Sequence, residues 1–107
     1  MLADLLMISI GKEILMMIDN LTSIYNEAKE KERNIFAKFL SEINFHDIFA
    51  YSFNYRTNIC TIHSSFPGVW IGLYGKNVMI LKRILREETS RDWDIDIIEV
   101  RGNFVSI

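Results

Sequence analysis

The sequence contains one cysteine, one proline and five glycines in 107 residues. A lone Cys60 cannot close a disulfide within the chain, and nothing suggests secretion, so a reducing, cytoplasmic setting is expected. Cys60 falls in a strand-like pattern and reads as a small core hydrophobe rather than a nucleophile. An excess of positive charge is also missing: 12 basic residues face 14 acidic ones, for a formal charge of −2. No global field therefore draws the chain to nucleic acid, and any such binding must be local. Nor is there a long uncharged apolar run. Asp4, Lys12, Glu13 and Asp19 interrupt the greasy N-terminus, and a spanning helix needs about 20 apolar residues. A secretory signal would carry positive charge ahead of its apolar stretch, whereas Asp4 is the first charge here. No membrane association is expected. Low-complexity tracts and internal repeats are likewise lacking.

Catalytic groupings are also scarce. His46 and His63 lie on separate segments, and neither has a Ser, Cys or carboxylate at a recognisable catalytic spacing, so no enzyme activity and no cofactor are expected. Asp92, Asp94 and Asp96 recur at every second position and place carboxylates on one face of a strand. A hard-cation site needs further oxygen ligands from turns. Glu99 alone is nearby and no glycine-containing loop accompanies them, so a solvated sheet face is expected and no metal site.

Half of the residues are apolar, enough for one domain with one core and an appendage. From position 3 to 28, Ala3, Leu6, Ile10, Ile14, Met17, Leu21, Ile24 and Ala28 recur at spacings of three and four, a helical stripe with a coiled-coil-like period. Leu5, Ile8, Leu15, Met16 and Ile18 widen the apolar surface, so this helix calls for cover on more than one side. Glu27 and the run from Lys29 to Arg33 alternate in sign and read either as a solvated stretch of helix or as a joint between two helices. Ile35, Phe36, Phe39, Leu40 and Ile43 then resume a helical spacing.

After Asn44 the period becomes two. Ile48, Ala50 and Ser52 share one face of a predicted strand, and Phe49, Tyr51, Phe53 and Tyr55 share the other, as a core or helix-packing surface. Asn54 to Asn58 reads as a hairpin connection, and a second strand runs from Ile59 to about His63. A short helix opens at Pro67-Gly68. Gly72 and Gly75 follow, free to take positive φ, and a longer helix extends from Lys76 to about Glu88. Asp94 to Val100 is a third strand, with Gly102-Asn103 marking its end.

The stretch Ile62-His63-Ser64-Ser65-Phe66-Pro67-Gly68-Val69-Trp70-Ile71-Gly72-Leu73-Tyr74-Gly75-Lys76-Asn77-Val78 resembles the GXXG region of type II K homology (KH) domains, the form found in the third small-subunit ribosomal protein of bacteria. Ile98-Glu99-Val100-Arg101 resembles the family's closing Glu-Val-Arg. The resemblance covers Arg33 to Arg101. It implies an α+β, type II KH-like fold, helix-strand-strand-helix-helix-strand, with helices packed on a three-stranded sheet and an extra N-terminal helix. Residues 1–30 are then a helical extension and residues 31–107 the KH-like domain. The ribosomal protein's further C-terminal domain and basic N-terminal segment are not expected here.

The resemblance further implies single-stranded RNA binding, with DNA as the second candidate. The GXXG loop of the family clamps the sugar-phosphate backbone of about four nucleotides. Carried onto this chain, that loop is Gly72, Leu73, Tyr74 and Gly75. Nucleic-acid-binding members usually place a Lys or Arg between the glycines and an Arg before Pro-Gly, where this chain has Leu73, Tyr74 and Phe66. Compensating charge is expected from Lys76, Lys82, Arg83 and Arg86, which share one arc of the following helix at ~100° per residue. Tyr74 is expected either to stack on a base or sugar or to pack on its own helix, and Trp70 to enlarge the core or cap the groove. The alternative reading is a degenerate KH domain that serves as a protein-interaction or assembly module. The apolar N-terminal helix suits a homodimer or a protein partner. A dimer through residues 3–28 is expected to give twice the monomer mass in light scattering at micromolar concentration; a monomeric mass rejects it.

Overall fold

Good helix formers without a proline carry the chain from the N-terminus to Glu42, and they form a single 41-residue helix, α1 (Leu2–Glu42). The computed structural model describes the backbone of residues 2–101 and the side chains of residue 17 and residues 19–101. Two compact units divide within α1, Met1–Asn34 and Ile35–Ile107. The charged run from Glu27 to Arg33 is therefore a stretch of helix rather than a joint between two helices, and the extra N-terminal helix is not a separate element. No proline or glycine falls between Glu27 and Arg33, and Lys29 stands 3.2 Å from Glu32 one turn on. Glu32 departs from the expected solvated stretch, since it is buried.

In the first unit, Met17, Leu21 and Ile24 of the apolar stripe are more than half exposed. Ala3, Leu6, Ile10 and Ile14 of that stripe, with Leu5, Ile8, Leu15, Met16 and Ile18 beside it, lie outside the described side chains. Among the described residues no helix is long and apolar enough to cross a membrane.

The second unit is an α+β fold. After α1 the chain forms β1 (Ala50–Asn54), β2 (Ile59–Ser64), α2 (Pro67–Ile71), a 3-10 turn over Leu73–Gly75, α3 (Lys76–Thr89) and β3 (Asp94–Glu99). The sheet order is β1-β2-β3. β1 pairs antiparallel with β2, Ser52 opposite Thr61, and β3 pairs parallel with β2, Thr61 opposite Asp96. The antiparallel pair is closed by a connection over residues 55–58, one residue shorter than expected because Asn54 ends β1; Asn54 Oδ1 holds it by accepting from the Arg56 and Thr57 amides at 3.1 and 3.2 Å. The parallel pair needs the long crossover that α2 and α3 supply.

Period-two alternation decides which face is covered. Cys60, Ile62 and Ser64 of β2 are fully buried, and Ile95 and Ile97 of β3 pack with them; Asp94 and Asp96 point to the exposed face. β1 is shorter than the period suggested, so that Ile48, Phe49 and Tyr55 flank it, and β3 stops at Glu99. Gly102-Asn103 lies outside the described residues. Ile35, Phe36 and Phe39 of α1, Trp70 of α2, and Leu81, Ile84 and Leu85 of α3 form one core against the sheet. Phe36 meets Phe49, Tyr51 and Phe53 at ring separations of 5.1, 4.6 and 5.8 Å, so the aromatic face of β1 is a packing surface for α1.

One polar cluster pins α2 to this core. Asp47, in the segment leading to β1, accepts hydrogen bonds from Trp70 Nε1 at 2.7 Å and Ser64 Oγ at 2.5 Å. Ser64 Oγ in turn accepts from the Phe66 amide at 2.9 Å. A buried indole N–H requires an acceptor, and an ionised one makes the stronger bond. Asp47→Ala is expected to leave the Trp70 and Ser64 donors unsatisfied and to cost about 1–3 kcal/mol in urea unfolding. Asp47→Asn, which keeps an acceptor oxygen, should cost less. Equal midpoints for wild type and Asp47→Ala would show that the cluster holds nothing in place.

Candidate nucleic-acid interface

Pro67 opens α2 at a position where its missing N–H costs no helical bond, and Gly72 closes it, with its own amide donating to the Gly68 carbonyl at 2.9 Å. Gly72 has φ 76° and ψ 168°, a combination open essentially to glycine alone. A side chain there would also find no room. A Cβ on Gly72 would stand 2.7 Å from the Asn77 backbone nitrogen and 2.7 Å from Asn77 Cγ. That closeness has a use: Asn77 Nδ2 donates to the Val69 carbonyl at 2.7 Å and ties the start of α3 to the last turn of α2.

Between the two helices the backbone makes a single tight turn. The Gly75 amide donates to the Gly72 carbonyl at 3.1 Å, and the Lys76 amide to the Leu73 carbonyl. The Lys76 N–H, the first amide of α3, is thus spent inside the turn. Leu73 and Tyr74 do not use their own N–H groups in these bonds. Both glycines take the positive φ expected of them, Gly75 at 73°. Tyr74 joins them at φ 56°, ψ 29°, a left-handed conformation uncommon for an aromatic residue and absent from the sequence-based expectation.

The turn points its side chains outward. Leu73 is 77% exposed and Tyr74 96% exposed. One turn into α3, Met79 is 69% exposed. Leu73, Tyr74, Lys76, Met79, Ile80 and Arg83 line an open groove of about 620 Å³. Gly75 differs from Gly72 in that nothing lies within 4 Å of the place its Cβ would occupy, so another molecule's backbone has room to come close there.

The cations of α3 all lie on its exposed side, opposite Leu81, Ile84 and Leu85. Two of the four, Arg83 and Arg86, are in ion pairs within the chain. Arg83 pairs with Glu42 at 2.5 Å and with Glu87 at 3.3 Å. These hydrogen-bonded carboxylates raise its pKa further above the ordinary arginine value. Arg86 stands 3.5 Å from Asp92. Lys82 lines a different groove, with Thr57, Asn58, Asp92, Trp93 and Asp94. Lys76, beside the turn, makes no ion pair among the described residues. Of the predicted residues, the structure places Leu73, Tyr74, Lys76 and Arg83 along this groove, while Gly72 and Gly75 shape the adjoining turn and Lys82 and Arg86 are not part of its lining.

Two residues that hold the loop escape sequence-level reasoning, Asn77 and Asp47. Asp47 has a signal, as the only acidic residue between Glu42 and Glu87 and so the one nearby carboxylate for a buried tryptophan. The three aspartates do not share one strand face as expected: Asp94 and Asp96 lie on the outer face of β3, while Asp92 precedes the strand and pairs with Arg86, and no metal-holding group of His, Cys, Asp or Glu is found among the described residues.

The two glycines should respond differently to substitution. Gly72→Ala combines a forbidden dihedral with a backbone collision and is expected to cost at least ~2 kcal/mol. Gly75→Asn, in open space and with a residue that tolerates the left-handed region, is expected to cost less than ~1 kcal/mol. Thermal unfolding of both variants checks the ranking, and comparable losses would contradict the close approach at Gly72. No protein-family model matches the chain, and no curated protein matches it.

Proposed function

We propose that the second unit is a type II KH-like module that binds single-stranded RNA at the Gly72–Gly75 turn, without catalysis. The observation that carries this reading is the turn itself. Two glycines three apart, both at positive φ, lift a four-residue bend clear of the surface between two helices, with Gly75 open to close approach. A strand's sugar-phosphate backbone is an extended, negatively charged chain that needs a small-residue turn with a cation beside it, and Lys76 supplies that cation. The element order of residues 35–99, helix-strand-strand-helix-helix-strand, supports the same reading, being the order that the resemblance implies. The cytoplasm is the proposed compartment, consistent with a single cysteine, Cys60, that is buried in the core.

A second reading rests on a different observation. Met17, Leu21 and Ile24 leave an apolar stripe exposed along the described part of the first unit, which suits a homodimer or protein partner held through that helix. In that reading the turn is a protein-contact surface, and Leu73 and Tyr74 are its contact residues.

Fluorescence anisotropy of labelled eight-nucleotide RNA, with DNA of the same sequence alongside, separates the two readings. Binding should weaken with salt at a log–log slope between about −0.7 and −1.4, for one or two neutralised phosphates at ~0.7 each on a single strand. Gly75→Asp puts a carboxylate at the open approach and should weaken binding at least about fivefold, since a like charge in a contact opposes the phosphate by a kcal/mol or more. It leaves the fold intact, which Gly72→Asp would not. No binding of either strand at low salt would remove the nucleic-acid reading and leave the interaction module.

A further inference from the structure

Tyr74 sits in a conformation that costs free energy for a residue with a side chain, and the chain gives it nothing back. Tyr25, Tyr51 and Tyr55 each meet a ring or a cation within the protein. Among the described residues Tyr74 meets none, and its side chain is almost wholly in water. Leu73, Met79 and Ile80 give the groove beside it an apolar lining, shared with Lys76 and Arg83. From Gly72 to Arg86 there is no acidic residue, so the lining itself does not repel an anionic chain.

We propose that Tyr74 is a stacking platform for one unpaired nucleobase, whose edge rests on Leu73 and Met79 while its phosphates pass Gly75 and Lys76. The proposal rests on the RNA-binding reading and specifies how that turn grips its ligand. Arg83 and Arg86 are engaged by Glu42, Glu87 and Asp92, and Lys82 lies in the acidic groove. Counterion release therefore supplies a small share of the affinity, and contact with the base supplies the larger one. Every base has a π-face, so such a platform tolerates any sequence. A duplex offers no free face, so it selects against paired strands.

The test compares eight-nucleotide oligouridine with a strand of the same length and phosphate count in which every base is removed. Wild type should bind the base-bearing strand about 5- to 150-fold more tightly, the range seen for one aromatic–base stack. Tyr74→Asn, which accepts the left-handed backbone, should keep or raise the melting temperature and abolish that preference, with affinity for the abasic strand unchanged. Tyr74→Phe should retain the preference, and it provides the comparison if Tyr74→Asn disturbs the fold. Equal affinity of wild type for the two strands, or a preference that survives in Tyr74→Asn, overturns the stacking role while leaving RNA binding in place. Absence of binding to both strands at low salt overturns the RNA-binding reading itself, and with it the platform, and assigns this face to a protein partner.

Discussion

Asn77 reaches the Val69 carbonyl because Gly72 carries no side chain. The last turn of α2 and the first of α3 approach so closely there that a Cβ on Gly72 would collide with the Asn77 backbone. This contact converts two helices that follow one another in sequence into one rigid corner, and the residues between them have no place to go but outward. Leu73, Tyr74 and Gly75 are displayed for that reason. Below the corner, Trp70 is wedged among Phe36, Phe39 and Phe49 and held by the Asp47 carboxylate, so the base of α2 is fixed by the core and its tip by Asn77. A turn supported at both ends is preorganised, and binding to it avoids much of the cost of ordering a loop.

Charge alone does not explain what the corner is for. The chain is slightly acidic overall, and two of the four cations on α3 are within ion-pair distance of carboxylates from α1, from α3 itself or from the segment before β3. Such exposed pairs contribute little to stability, but they lower the local potential available to a phosphate. What remains distinctive is shape and apolar exposure: an outward aromatic ring, a groove lined by Met79 and Ile80, and a lysine at the turn. A surface of this kind favours a ligand that offers flat apolar faces along a charged chain.

Local pattern carried much of the second unit. The alternation from Phe49 to Phe53 and from Ile59 to Ser64, the Asn54 connection, Pro67 and the paired glycines place β1, β2, α2 and α3 within a residue or two of where they lie. Exposure of the cations on one side of α3 also followed from helical spacing. The continuity of α1 was less legible, because a run of alternating charges looks the same on a long helix as at a joint between two. Long-range pairing was not legible at all: Glu42 and Arg83 are 41 residues apart, and Asp47 and Trp70 are 23 apart, with no periodicity linking them. The left-handed Tyr74 was invisible for a different reason, since propensity places glycine or asparagine there and the geometry of the Gly72 corner overrides it.

The most direct test of the account is to follow the backbone amides of the whole chain by two-dimensional nitrogen–proton NMR while short single-stranded RNA is added at low salt. The account predicts that the largest shifts fall on Leu73, Tyr74, Gly75 and Lys76, extend along the exposed side of α3 through Met79, and spare Asp94 and Asp96 on the outer sheet face. Shifts centred on that sheet face, or a spectrum unchanged at saturating RNA, would contradict it.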